Sequence, residues 1–270
     1  MTEQQTHLLG SLWIKTNART SPQPWVSLVE LPERERFLLP ASDNFREIEE
    51  IKIAGAMVAP DLPGEKVMAA LPLTASLGAL ADLRARPGES LLVVGASPWS
   101  RFFVLSGELL SLVPIAWVVE ESEVRKCGEV KPPACELISA GTVDAVDRLK
   151  ILTARRGFDM VVETTGNDRL LEIALGAAGV GGKVGLLGLS SGVTALDLHN
   201  TVHFKELAVR GLWEDVPPFS RLKKEVERGV LTLAVEKTTE GVDFKRAAGD
   251  IEKLREKAPG FIIVSGDGSL

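Results

Sequence analysis

Residues 90–100 read Ser90-Leu91-Leu92-Val93-Val94-Gly95-Ala96-Ser97-Pro98-Trp99-Ser100. Four successive branched aliphatic residues, Leu91 to Val94, suit a strand covered on both faces, and the glycine and proline that follow stop it. The pattern is repeated along the rest of the chain. Apolar runs recur at Ser90–Gly95, Pro114–Glu120, Cys135–Ser139, Phe158–Thr164, Gly182–Leu189, Leu207–Trp213 and Gly260–Ser265. Between most of them lie segments of helical period, such as Val143–Arg156, Asn167–Ala178 and Phe244–Lys257. Short apolar strands alternating with helices predict an α/β fold: a doubly wound parallel sheet with helices on both faces.

Upstream of Ser90 the pattern changes. Glu65 to Arg86 has helical spacing (Val67, Ala70, Leu71, Leu77, Leu80, Leu83), with Pro72 predicting a kink. Residues 1 to about 60 hold short β-like runs, Trp25–Glu30 and Arg36–Leu39, broken by prolines. The chain therefore divides into a small β-rich portion (1–66), a nucleotide-binding domain (67–235) and a C-terminal segment (236–270) expected to pack back on the N-terminal portion.

The 270 residues are 45% hydrophobic and 25% charged, ordinary values for a soluble globular protein. A net charge of −6 argues against nucleic acid or an anionic membrane as partner, since both require clustered Lys and Arg. The most basic stretch, Arg221-Leu222-Lys223-Lys224, is followed at once by Glu225 and reads as the solvated face of a helix. Two cysteines, Cys127 and Cys135, make no disulfide framework and fit a reducing compartment. The first residues lack the basic and apolar regions of a signal peptide. Val104 to Val119, interrupted by Glu108 and Pro114, is too short to span a bilayer and reads as a helix followed by a buried strand. A soluble, cytoplasmic protein is expected.

In a doubly wound sheet ligands bind beyond the carboxyl ends of the strands. A dinucleotide loop has the form G-x-G-x-x-G: one glycine for the turn, one for close approach of the pyrophosphate, one for helix–strand packing. Here Gly95 keeps the first place, while Ser97 and Ser100 hold the other two. Serine is small and its hydroxyl can donate to a phosphate, yet it adds a side chain where backbone should be bare. The second strand ends at Glu120, about 25 residues beyond Gly95. A carboxylate there accepts from both adenosine ribose hydroxyls and repels a 2′-phosphate, which favours NAD over NADP. A solvated strand end is the other reading of Glu120.

Several stretches together resemble the medium-chain dehydrogenase/reductase superfamily, of the zinc-type alcohol-dehydrogenase-like kind, from about Leu38 to Gly266. Ala70-Leu71-Pro72-Leu73-Thr74-Ala75 is similar to the helix before its Rossmann nucleotide domain, and Arg86-Pro87-Gly88-Glu89-Ser90 to the approach to its first strand. Phe158 to Gly166 resembles the fourth strand and the loop beside the nicotinamide, and Gly181 to Leu189 the fifth strand and its turn. Lys205 to Gly211 resembles the next strand, which in many members pairs across a dimer axis.

The resemblance implies that residues 1–66 are a remnant of the catalytic, GroES-like domain. In the family much more chain precedes the nucleotide domain and supplies the metal ligands, so a zinc-free site is expected, with no metal ligand named. It also implies a cofactor crevice in which Gly95, Ser97 and Ser100 cradle the pyrophosphate at a helix N-terminus. Glu120 would then hold the ribose, Arg125 would lie near the adenine side, and Thr164, Gly166, Gly188 and Leu189 would line the nicotinamide. Trp99 stands where the family usually has a small aliphatic residue behind that ring, so an indole there takes up part of the cofactor's space.

Other constellations carry less. His199 and His203 have the i,i+4 spacing of two zinc ligands, but Asn200 stands where a catalytic glutamate would, and a helix-surface pair explains them as well. Gly188-Leu189-Ser190-Ser191-Gly192 matches G-x-S-x-G, but no helical segment follows it. Glu163, at a strand's carboxyl end, is either a general base or a cap for the next helix.

The reading that results is an NAD-type, zinc-independent oxidoreductase acting on a small organic substrate. Two partner arrangements are expected, a homodimer through the Leu207–Trp213 strand or another chain covering an open cleft. The altered glycine loop opens an alternative in which NAD has been lost and the fold serves as a binding or scaffold subunit, or as a non-redox biosynthetic enzyme. No catalytic residue is identified.

Overall fold

The computed structural model describes residues 7–15, 23–30, 36–40, 57–59, 64–188, 195, 197–213, 217–238, 245–248 and 260–265. The chain divides into two units, one made of Met1–Ala75 with Val216–Leu270 and the other of Ser76–Asp215.

The first unit holds a six-stranded mixed sheet. Its first four strands are β1 (His7–Lys15), β2 (Gln23–Glu30), β3 (Arg36–Pro40) and β4 (Met57–Val58), successively antiparallel. The last strand of the chain, β12 (Gly260–Ser265), lies antiparallel to β1 with Trp13 opposite Ile262, and β11 (Lys245–Ala248) runs parallel beside β12. Gly260–Ser265 is thus the one apolar run of the series that joins this sheet instead of the parallel one.

The helix expected over Phe244–Lys257 is also corrected at its start, where Lys245–Ala248 is extended; Phe244 and 249–257 lie outside the described residues. Intrinsic helix preference is worth only tenths of a kcal/mol per residue. The outer edge of β12 offers these residues a full ladder of backbone partners, and the ladder wins.

Helix α1 (Gly64–Asp82) runs from the first unit into the second and continues through Pro72. Every residue from Ala70 to Leu80 is buried, which explains why the segment is apolar almost all round.

The second unit carries the parallel sheet. Along the chain it reads β5 (Leu91–Val94), α2 (Ser100–Leu109), β6 (Ile115–Val119), α3 (Val124–Val130), β7 (Cys135–Ser139), α4 (Ala145–Leu152), β8 (Phe158–Glu163), α5 (Asp168–Ala177), β9 (Ala178–Leu186) and β10 (Ala208–Gly211). The spatial order is β10-β9-β8-β5-β6-β7 with every pair parallel. This is the doubly wound Rossmann arrangement expected from the sequence. The winding reverses between β5 and β8, and that switch point is where such a sheet opens a crevice. Strands β5 and β6 are buried at every position, and Leu92, Val94, Ala116, Val118 and Val161 form the centre of the core. β10 is an edge strand with all four residues exposed.

The amino ends of β5 and β8 are tied by a reciprocal set of hydrogen bonds. Ser90 N and Oγ both donate to Asp159 Oδ2 (2.9 and 2.7 Å), and Asp159 N donates to Ser90 Oγ (2.9 Å). Burial alone would raise the Asp159 pKa. The Ser90 hydrogen bonds, helped by the Arg156 and Lys183 charges, outweigh it and hold the carboxyl below its ordinary value. Pairing beneath the sheet in this way leaves the opposite, carboxyl ends to carry the site.

Candidate functional site

Gly95 follows β5 with a φ of +100°. A Cβ there would lie 2.4 Å from Thr165 Cγ2 and 2.9 Å from Thr164 Oγ1, so both the turn and the neighbouring strand end demand glycine. The loop is fastened to β6 on both sides of this residue. Gly95 N donates to Val118 O (2.7 Å), and its carbonyl accepts from Trp117 Nε1 (2.7 Å). A buried indole in an otherwise aliphatic strand requires an acceptor for its N–H, and here the acceptor is the loop itself.

The two serines are bonded to each other and to β8. Thr164 Oγ1 donates to Val94 O (2.9 Å), so its one proton is spent. Ser100 Oγ, 2.8 Å away, therefore donates to Thr164. Ser97 Oγ, 3.3 Å from Ser100 Oγ, in turn donates to Ser100. Ser97 N also donates to Ser100 Oγ (2.9 Å), and Trp99 N donates to Ser97 Oγ (3.2 Å). The result is a relay of fixed polarity, running from the Trp99 amide through Ser97, Ser100 and Thr164 to the carbonyl of Val94. Every hydroxyl proton in it points inward.

Next to this relay the buried Glu163 carboxylate shapes the turn after β8. Its Oε1 accepts from Thr165 N (2.8 Å), Thr165 Oγ1 (2.7 Å) and Gly166 N (3.0 Å), and its Oε2 accepts from Gly166 N (3.0 Å). Of the two roles open to Glu163 in the sequence, these bonds are those of a cap on the turn. Gly188 packs on the same turn: a Cβ there would sit 1.8 Å from Gly166 N. Helix α5 then starts from Asn167, whose side chain accepts from Leu170 N (3.1 Å).

Beyond β6, Glu120 Oε2 lies 3.7 Å from Arg169 Nη1, and Arg169 Nη2 donates to Ala140 O (2.8 Å). Arg169, from α5, thus crosses the ends of β6 and β7 and touches the carboxylate expected to hold a ribose. The sequence carries no spacing signal for it. Trp99 is 1% exposed and meets Trp213 edge-on, with ring centroids 5.2 Å apart, while Phe103 stacks on Trp213 at 6.1 Å. One of these indoles comes from the loop after β5 and the other follows β10.

Gly95, Ser97, Ser100 and Thr164 are therefore one cluster, with Gly166 and Gly188 adjoining it and Glu120 beyond the end of β6. Arg125 is not part of it: its side chain is 94% exposed and pairs with Glu129 at 3.6 Å along α3. Leu189 lies outside the described residues, as do Ser190, Ser191 and Gly192 of the G-x-S-x-G stretch.

His199 and His203 are exposed on a turn of π-helix (His199–His203), their rings stacked with centroids 5.5 Å apart. The nearby Asp197 carboxylate is held below its ordinary pKa by hydrogen bonds from the Asn200 side chain and backbone. Among the described residues no group of three His, Cys, Asp or Glu side chains is placed to hold a metal, and no helix is long and apolar enough to cross a membrane. Both cysteines are buried thiols, with burial pushing Cys127 up to about 11 and Cys135 up to about 12.

A family model described as zinc-binding dehydrogenase matches residues 118–228. L-threonine 3-dehydrogenase of Pyrococcus furiosus is 33% identical over 181 residues, 65% of this chain and 51% of that protein. Sorbitol dehydrogenase of Bacillus subtilis is 28% identical over 120 residues, covering 44% and 34% respectively. The chain spans about half the length of the threonine dehydrogenases it matches.

Among solved structures, 2R,3R-butanediol dehydrogenase from Bacillus subtilis superposes with a TM-score of 0.70 at 15% identity, covering 98% of this chain and 93% of that one. A Sinorhizobium meliloti protein assigned as a zinc-binding dehydrogenase, solved bound to NADP, gives 0.69 at 12% identity, covering 96% and 91%. At such identities the superpositions establish the shared fold.

Proposed function

We propose that this chain is a member of the zinc-type, alcohol-dehydrogenase-like medium-chain dehydrogenase/reductases and an NAD(P)-dependent oxidoreductase of small organic substrates, a reading supported by the family-model match over 118–228 and the likeness to L-threonine 3-dehydrogenase. The observation that carries the proposal is the cluster at the switch point: Gly95 in a left-handed turn, small residues at 97 and 100, the start of α2, and Glu120 beyond the next strand.

The residue set fits a dinucleotide in kind. Position 95 is bare backbone, the N-terminus of a ten-residue helix faces the loop, and the Glu120 side chain is about a third exposed and able to accept from ribose hydroxyls. The cofactor would supply hydride exchange. The chain's part is to orient it, with Glu120 on the ribose and the Glu163-capped turn of Thr164, Thr165 and Gly166, backed by Gly188, beside the nicotinamide.

Threonine, sorbitol and butanediol, the substrates in the relatives' names, are small polar alcohols, and an alcohol–carbonyl pair is the substrate class we assign. The zinc-independent part of the proposal rests on the cysteines. The chain has two, and both are buried as thiols on α3 and β7, on the far side of β6 from the switch point. For assembly we propose a homodimer through β10, whose outer edge has no strand beside it among the described residues. We assign residues 1–66 to the catalytic portion and a cytoplasmic location.

Calorimetric titration with NADH and NADPH tests the cofactor assignment, followed by a screen of small alcohols. NADH binding that weakens in Glu120→Ala is the expected result. Failure of both nucleotides to bind would overturn it.

A second reading, a cofactor-free Rossmann protein acting as a binding subunit, is favoured by one observation. The loop's hydroxyl protons point inward, and Trp99 meets Trp213 beside them. Absence of nucleotide binding together with co-purification of one stoichiometric protein would support that reading.

A further inference from the structure

We infer that the Ser97 hydroxyl is a built-in competitor for the cofactor's phosphate. It accepts the Trp99 amide at the start of α2, and a dinucleotide binds only after that hydroxyl has been displaced. The inference rests on the dinucleotide reading of the crevice, and it assigns Ser97 as the residue that sets affinity.

From 97 to 100 each backbone amide of the loop is either missing or engaged. Ser97 N is bonded to Ser100 Oγ, Pro98 has no N–H, Trp99 N is bonded to Ser97 Oγ, and Ser100 N to Ser97 O at 3.2 Å. A helix start accommodates a phosphate by donating amides to it. Here the oxygen that takes the Trp99 amide is supplied by the protein. The inward relay adds a charge argument. With its proton directed at Ser100, Ser97 Oγ turns a lone pair towards an approaching anion, and it must leave both of its bonds before it can donate to a phosphate.

The distances identify which part gives way. The two hydrogen bonds that hold Ser97 Oγ are long, 3.2 and 3.3 Å, whereas those that Ser100 Oγ makes with Ser97 N and Thr164 Oγ1 are 2.9 and 2.8 Å. Ordinary hydroxyl bonds cluster near about 2.7–2.8 Å and amide bonds near about 2.9–3.0 Å. Ser100 is wholly buried and Thr164 nearly so, while Ser97 is half-buried. Rotation of Ser97 alone therefore frees the Trp99 amide, and Ser100 with Thr164 stays as the fixed base.

The test is calorimetric titration of the full chain, as wild type, Ser97→Ala and Ser97→Gly, with ADP and with NADH. Thermal unfolding confirms that each variant is folded. ADP carries the pyrophosphate and ribose without the nicotinamide, so it reads the loop alone. The expected order of ADP affinity is wild type weakest, Ser97→Ala tighter by about three- to tenfold, the worth of one hydrogen bond, and Ser97→Gly tighter again through the loss of Cβ.

Equal ADP affinity in wild type and Ser97→Ala overturns the inference. Weaker binding by Ser97→Ala also overturns it, because the hydroxyl would then be donating to phosphate. ADP affinity that rises in the variants while NADH fails to bind any of them upholds the competitor and removes the oxidoreductase reading. NADH bound alike by all three does the reverse. No ADP binding to any form overturns the inference, and if NADH binds none of them either, both readings fall.

Discussion

Ser100 Oγ lies 2.8 Å from Thr164 Oγ1, and this hydroxyl pair fastens the loop after β5 to the end of β8 within the protein interior. Ser100 Oγ also accepts from Ser97 N, so it holds three hydrogen bonds from a fully buried side chain. A buried donor that loses its partner costs the full desolvation of the group left behind.

Ser100→Ala removes the acceptor of the Ser97 amide and the donor to Thr164 Oγ1, which keeps its own bond to Val94 O. We expect a loss of about 1–3 kcal/mol in unfolding free energy, read by urea denaturation. Ser100→Thr, which keeps the hydroxyl, should recover part of it. A variant as stable as the wild type would show that the relay is not a structural element.

Gly188→Ala would place a methyl group 1.8 Å from Gly166 N and 2.2 Å from the Thr165 carbonyl carbon. Both are backbone atoms in a turn already pinned by Glu163, so neither can give way cheaply. The expected cost is about 3 kcal/mol or more, seen as a lowered melting temperature or as insoluble protein.

Asp159 provides a pH signature. Its folded pKa is held below the ordinary aspartate value, chiefly because the Ser90 hydrogen bonds outweigh the effect of burial. A depressed folded pKa stabilises fully above the unfolded value, about 3.9. That contribution fades as the pH falls through the lower, folded value. Denaturation of wild type and Asp159→Asn should therefore show a stability gap at pH 7 that narrows towards pH 3. A gap independent of pH would mean that the carboxylate's charge has no part in the strand pairing.

The thiols supply a chemical probe. With Cys127 at about 11 and Cys135 at about 12, chiefly through burial, almost no thiolate exists near neutral pH. Iodoacetamide at pH 7.5 should leave both unmodified in the folded chain and label both in guanidinium. Rapid labelling of the native protein would contradict the burial described.

The parallel sheet was legible because its central strands β5 and β6, Leu91–Val94 and Ile115–Val119, are apolar at every position, a pattern set by burial on both faces. Gly95 was legible as well, since a sharp turn after such a strand has few alternatives. Other features were hidden for physical reasons. Arg169 reaches Glu120 from a helix that begins 48 residues later in the chain, and no local spacing encodes that meeting. Lys245–Ala248 pairs with β12 because an edge is available there, a fact of tertiary structure. Arg125 sits near the expected sequence position, but its side chain lies on the solvated face of α3 beside Glu129.

The serines were legible as small residues, while the direction of their protons emerges only from the position of Val94 O. That direction carries the difference between a loop that receives a phosphate and one that competes with it.

The chain contains five tryptophans and no tyrosine, so its ultraviolet emission belongs to indoles alone. Three of the five are built around the loop after β5: Trp117 donates to the Gly95 carbonyl, and Trp99 lies in contact with Trp213. Any change at Ser97 or Gly95 alters the surroundings of fluorophores already in place. The protein is thus its own optical gauge of whether that loop is shut or occupied, with no dye or label required.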